Sequence, residues 1–180
     1  MYFNEAVSSS GADAALPLLY RGLVYAETGD WEKAEKDFLS AADAAGESSV
    51  KTVSLFSGNT AREGDALPTR SPLASACLSS VVPGLGQLYC GHWFDSLQAF
   101  VTVGVFALAT YGVYLYESDN NGSYIYTGIL GAVTLTLHSS NIFGAYKTAG
   151  YYNLKRKEEL LNKIRKEIFT LPPLSSTFLP

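Results

Sequence analysis

Two long uncharged runs dominate the pattern of apolar and polar positions, Ser96–Tyr116 and Ser123–Tyr146, joined by the polar turn Glu117-Ser118-Asp119-Asn120-Asn121-Gly122. The first run holds 21 residues with Gln98 as its only amide. As a helix it would reach about 31 Å, roughly the thickness of a bilayer's hydrocarbon core. A soluble core helix of this length carries polar residues on one face at every third or fourth position, and neither run does. Both runs are therefore predicted to be transmembrane helices, paired as a hairpin over residues 96–146.

Ahead of them the period is that of amphipathic helices. From Ala15 to about Ser48 the spacing fits a helical hairpin of the tetratricopeptide repeat (TPR) type, with a period of about 34 residues. Leu18, Gly22, Tyr25, Ala34, Phe38 and Ala41 occupy six positions of that pattern. Gly22 and Ala34 are small where two helices would cross closely, Tyr25 and Phe38 would fill the space between them, and Thr28-Gly29-Asp30 would end one helix and cap the next. Phe3-Asn4-Glu5-Ala6 has the same spacing as Phe38-Leu39-Ser40-Ala41, which puts Met1 inside the second helix of a preceding repeat. A lone repeat cannot bury its apolar face, so residues 1–48 read as the end of a longer array, and the natural protein is expected to extend further at its front. Met1 to Ser10 has neither the basic opening nor the apolar middle of a secretory signal.

Residues 49–70 read as a linker. Val50 to Phe56 is mildly apolar and could form half of another repeat, and Ser57 to Arg70 is rich in loop formers. Ser71-Pro72 then gives a helix start, with serine as cap and proline in the first turn. Over residues 71–95 a short helix of small residues breaks at Pro83-Gly84-Leu85-Gly86-Gln87-Leu88-Tyr89-Cys90-Gly91. One proline and two glycines within four residues cannot continue a regular helix. The segment is either a short third span or a re-entrant one.

At this point a family resemblance becomes specific. Ser71-Pro72-Leu73, the run Pro83-Gly84-Leu85-Gly86-Gln87-Leu88-Tyr89-x-Gly91, a long span, then Asn141-Ile142-Phe143-Gly144-Ala145 and Tyr152-Asn153 resemble a small multi-span "PGLGQ-Y-x-G" membrane domain. That domain stands C-terminal to TPR repeats in bacterial envelope proteins and is similar to two-span domains with a Gly-x-x-x-Phe-Tyr-x-Gly turn. The resemblance covers about residues 70–153. It implies an uncharacterised membrane protein of the bacterial envelope, often made with a cleaved signal and periplasmic repeats, and with no established enzymatic activity. It also marks Pro83, Gly84, Gly86, Gln87, Tyr89, Gly91, Asn141 and Gly144 as the structural motif.

Charge sets the orientation. Residues 1–70 hold 6 Lys+Arg against 11 Asp+Glu, while residues 144–170 hold 7 against 3. The turn at 117–122 has no basic residue, so the positive-inside bias puts residues 147–180 in the cytoplasm and the turn outside. Within that tail Leu160, Leu161, Ile164 and Ile168 alternate with Lys155, Arg156, Lys157, Lys163, Arg165 and Lys166. This predicts a basic amphipathic helix on the inner leaflet, with a solvated or partner-binding helix as the alternative. The repeats are periplasmic if Leu73–Leu88 crosses and cytoplasmic if it is re-entrant; their acidity and the resemblance favour the periplasm. A net charge of −4 gives no argument for nucleic-acid binding.

Candidate chemistry is sparse. Cys77, Cys90 and His92 offer no second ligand pair, so no metal or cofactor is expected. Gln87, His138 and Asn141 are the polar side chains expected at membrane depth. His138-Ser139-Ser140 lacks an orienting carboxylate, so the three are read as interhelical hydrogen-bonding groups. The spans also carry small-residue faces, Gly128-x-x-x-Ala132 and Ser140-x-x-x-Gly144. The expectation is an all-α, non-enzymatic membrane protein whose partners are the lipid bilayer, another protein on the TPR-type face, and further copies of itself as a homo-oligomer. The alternative is a small membrane subunit of a channel, transporter or protein-insertion apparatus, with His138 titrating along a proton or solute path.

Overall fold

A computed structural model describes residues 14–46 and 48–171; the Phe3–Ala6 pattern lies outside them. The described residues form seven α-helices and no strand: α1 Ala15–Thr28, α2 Trp31–Ala44, α3 Ser49–Asp65, α4 Pro72–Val81, α5 Leu85–Tyr89, α6 Trp93–Asp119 and α7 Ile125–Phe169. They divide into two units. One holds the described residues through Leu67 together with those from Lys155 onward, and the other is Pro68–Leu154.

In the first unit, α1 ends on Gly29, whose φ of 87° is the left-handed value that lets its N–H turn back onto the Ala26 carbonyl. Asp30 then caps α2, its side chain accepting from the Lys33 N–H. The Lys33 ammonium bonded to the same carboxylate holds the Asp30 pKa below its ordinary value. Gly22 lies against Phe38, whose ring would be 2.8 Å from a Cβ placed there. Arg21 and the buried Asp37 pair in fork geometry at 2.6 and 2.7 Å, which raises the Arg21 pKa.

Two expectations are corrected in this unit. Residues 49–65 are a regular helix rather than linker. Apart from Val53, the face α3 buries is built from Ser54, Ser57, Gly58, Thr60, Ala61 and Gly64, small residues that let it approach α2 closely. A Cβ on Gly64 would come within 2.2 Å of the Trp31 ring and one on Gly58 within 3.1 Å of Leu39.

The second correction concerns the tail. Leu160, Leu161, Ile164 and Ile168 are at most 5% exposed and share one core with Leu18, Leu19, Ala26, Trp31, Phe38 and Val53. That apolar face is thus taken up by protein and is not free for lipid. Its basic side chains are also engaged. Arg165 forks onto the Glu27 carboxylate at 2.7 and 2.6 Å, bonds Glu158 as well, and has its pKa raised by these carboxylates. Lys157 donates to the Glu27 carbonyl at 2.6 Å, where the last turn of α1 favours a cation. Helices that share a core lie in one compartment, so a cytoplasmic tail with periplasmic repeats is ruled out.

In the second unit, α4 starts as a capped helix, Ser71 Oγ accepting from the Ala74 N–H at 3.2 Å with Pro72 in the first turn. Its 10 residues reach about 15 Å, half of a hydrocarbon core, so α4 is too short to cross as a regular helix. Among the described residues one helix, α6, is long and apolar enough to span a membrane, and only 6% of its apolar stretch is buried. The second uncharged run is the front half of α7, a 45-residue helix in which His138, Ser139, Ser140 and Asn141 interrupt the apolar sequence. The expected pair of long transmembrane helices is thus reduced to one that qualifies by length and composition.

The turn between α6 and α7 is held by Glu117, a carboxylate only 4% exposed. It accepts from the Tyr126 and Thr127 N–H groups and from the Thr127 hydroxyl, at 3.2, 3.1 and 2.5 Å, satisfying orphan donors at the start of α7. Lower down, the Thr110 and Thr134 hydroxyls meet at 2.9 Å. The proposed close-approach glycine Gly128 meets nothing within 4 Å, Ala132 is exposed, and Gly104 and Gly112 also face open space. Among the described residues, therefore, the Gly128-x-x-x-Ala132 face is left open.

Candidate functional site

The Pro83–Gly91 turn is the most densely bonded polar region of the second unit. Pro83, half-buried, lies between the extended Val82 that ends α4 and Gly84. Gly84 has a φ of 91°, and a Cβ there would lie 2.2 Å from the Ser96 carbonyl oxygen; both the conformation and the space require glycine. Gly86 is packed still closer, its absent Cβ being 2.1 Å from the Ser75 carbonyl oxygen and 2.7 Å from the Ala145 methyl. At Gly91 the requirement is conformational alone, since its φ is 83° and nothing lies within 4 Å.

These glycines let α5 seat Gln87 between α4 and α7. Gln87 is 6% exposed. Its Oε1 accepts from Ser79 Oγ at 3.0 Å, and its Nε2 donates to Asn141 Oδ1 at 2.9 Å and to the Asn141 carbonyl at 3.3 Å. Ser79 Oγ in turn accepts from the Gly86 N–H at 2.9 Å. One turn earlier on the same face of α4, Ser75 donates to the Ala145 carbonyl at 2.8 Å, with Cys90 Sγ 3.7 Å from its hydroxyl. Gly144 leaves room for the Gln87 amide, 3.8 Å from where its Cβ would be. The broken helix is thus fastened to α7 by buried side-chain hydrogen bonds, which satisfy polar groups that would be costly to bury unpaired.

Tyr89, the motif's aromatic, is half-buried and accepts from the Ser71 N–H at 3.4 Å. Its ring lies under the Arg70 guanidinium, 4.7 Å from centroid to Cζ, and Tyr152 lies at 5.6 Å from the same Cζ. Asn153 clasps the Arg70 main chain in both directions, accepting from its N–H at 2.7 Å and donating to its carbonyl at 2.9 Å.

The three side chains expected at membrane depth are only partly brought together. Gln87 and Asn141 meet. His138 does not join them: its Nε2 lies 3.2 Å from the Ser80 carbonyl oxygen, while its Nδ1 is buried with no partner among the described residues. Asn141 Nδ2 is likewise unpartnered. An open groove of about 310 Å³ is lined by Gln87, Asp95, Gln98, Thr102, Ser140 and Asn141 with apolar neighbours. Among the described residues no three His, Cys, Asp or Glu side chains gather as metal ligands would.

Composition and spacing gave Ser75 and Ser79 only as small residues. Their i, i+4 spacing, which puts two hydroxyls on one face, was the available signal. Glu117 and Arg70 carried no such signal. The fold defines an all-helical protein with one candidate membrane-spanning helix. Comparison with protein-family models, with curated proteins and with solved structures finds no match for the chain.

Proposed function

We propose that the chain is a non-enzymatic integral membrane protein that holds a TPR-type protein-docking module at a membrane surface. The observation that carries this reading is α6. A 27-residue apolar helix with 6% of its apolar stretch buried, exposing Leu97, Phe100, Val101, Val105 and Leu108 by half or more, needs a non-aqueous surrounding. The front half of α7 is the returning span, with Tyr111, Tyr114, Tyr116, Tyr124 and Tyr126 at one interface and Trp93, Phe94, Tyr146 and Tyr151 at the other. The bacterial inner membrane is the setting that the family resemblance suggests. With α4 too short to cross and the tail inside the core of the first unit, the docking module and the tail share the cytoplasmic side on the positive-inside bias. This replaces the periplasmic assignment.

In this reading the tail closes the module's core, and the exposed Tyr20 and Val24 on α1 with Leu55 and Phe56 on α3 are the surface offered to a protein partner. The test is single-cysteine labelling of intact and opened membranes in a background free of Cys77 and Cys90. Asn59→Cys and Lys166→Cys should label from the same side and Asn120→Cys from the other. Opposite sides for the first two would overturn the arrangement, and extraction of the chain by alkaline carbonate would overturn membrane insertion altogether. Partner capture that is lost in Val24→Glu/Leu55→Glu supports docking.

The polar groove beside Gln87 favours the second reading, a subunit of a channel, transporter or insertion apparatus. Gln98, Thr102 and Ser140 line it without hydrogen bonds among the described residues. Loss of a transport or insertion phenotype in His138→Ala or Gln87→Ala, at normal protein level, would favour that reading over docking.

A further inference from the structure

Arg70 carries a charge that no carboxylate among the described residues pairs with. No ion pair or hydrogen bond is made by its guanidinium among the described residues, and its Nε is buried without a partner. Lysine could shed its proton in such a place, but a guanidinium keeps its charge at any accessible pH. Partly buried charges are stable only when something opposes them. The rings of Tyr89 and Tyr152, 4.7 and 5.6 Å from Cζ, supply a weak counterfield. Asn153, 83 residues away in sequence, fixes the backbone from which it projects. An arginine needed only for packing would not require this positioning.

We propose that Arg70, held by Tyr89, Tyr152 and Asn153, is the receptor for a phosphate group. Ring contacts of this kind use none of the N–H donors of a guanidinium, whose forked N–H groups match two phosphate oxygens. The proposal deepens the membrane reading. Tyr89 stands four residues before Trp93, and Tyr152 directly follows Tyr151; both neighbours belong to the aromatic set read at the hairpin base, where lipid phosphates lie, so a phospholipid headgroup is the natural source and a free phosphate the other.

The test uses the full chain in a phosphate-free maltoside detergent. Native mass spectrometry with added phosphatidylglycerol, and separately with diacylglycerol of the same chains, compares a lipid with and without the phosphate. Inorganic phosphate, followed by its ³¹P line width, probes the free ion. Wild type should retain phosphatidylglycerol at least tenfold over diacylglycerol, and Arg70→Gln should lose that preference. Broadening of inorganic phosphate by wild type but not by Arg70→Gln, without lipid discrimination, would assign the site to a free phosphate. Equal retention of the two lipids by wild type, with no broadening, would overturn the proposal whether or not the variant folds. So would an undiminished preference in folded Arg70→Gln. If the chain proves soluble without detergent, the membrane reading fails while the inorganic-phosphate arm still decides this one.

Discussion

Replacing Ile164 by alanine tests whether the tail belongs to the first unit's core. Ile164 is 0% exposed and sits with Leu160, Leu161 and Ile168 among residues of α1 to α3. The substitution removes three buried carbons, about 2.4 kcal/mol of transfer free energy at ~0.8 kcal/mol each, and the cavity left behind brings the cost to about 3–4 kcal/mol. A domain of ordinary stability has only about 5–15 kcal/mol in total. The assay exploits the chain's two tryptophans. Trp31, 8% exposed, reports on this core, and Trp93, 64% exposed, is replaced by phenylalanine so that Trp31 alone emits. With a slope of about 1–2 kcal/mol per molar urea, the Trp31 midpoint should fall by roughly 1.5–4 M in Ile164→Ala. The exposed control Lys166→Ala should stay within about 0.5 kcal/mol of wild type. Were the tail bound to lipid or solvent, the two variants would unfold together, and that coincidence would refute the shared core.

Other expectations follow from the same geometry. Gly86→Ala, whose new methyl would strike the Ser75 carbonyl, should cost about 1–3 kcal/mol or more, whereas Gly104→Ala, with open space, should be neutral or slightly stabilising; thermal unfolding in detergent ranks the pair. A double-mutant cycle on Gln87→Leu and Asn141→Leu should give a coupling of about 0.5–2 kcal/mol, and additive effects would count against their hydrogen bond. Asp30, bonded to Lys33, has a lowered pKa, so its contribution is complete above the ordinary aspartate value of about 3.9 and disappears as pH falls through its lowered value. Acid titration of Trp31 emission should show that loss in wild type and not in Asp30→Asn.

Helix ends were the most legible part of the sequence. Gly29-Asp30 and Ser71-Pro72 act through their own backbone and side chains, so they mean the same thing in any fold. The broken helix at Pro83–Gly91 was legible for the same reason. What α3 does was hidden, because its buried face, Val53 apart, is serine, threonine, glycine and alanine. Hydropathy scores such a face as loop, although close approach to Trp31 and Leu39 is the reason for it. The tail shows the opposite ambiguity. An apolar stripe flanked by basic residues satisfies a lipid surface and an acidic helical hairpin equally well, and only the Glu27 partner of Lys157 and Arg165 distinguishes them. The Ser79–Gln87–Asn141 chain needed three segments to be adjacent, which spacing along one helix cannot report.

The pairing of Glu27 with Arg165 joins residues 138 positions apart, and this ordering has a consequence for biogenesis. When a ribosome has released the first three helices, the surface that receives Leu160 to Ile168 is still bare, and the segment that covers it emerges only after both uncharged runs have been made. Closure over so long a separation is slow. The front of the protein therefore finishes folding last, after both uncharged runs have been made, and a chain stopped before residue 160 would leave an adhesive face for chaperones and proteases to find.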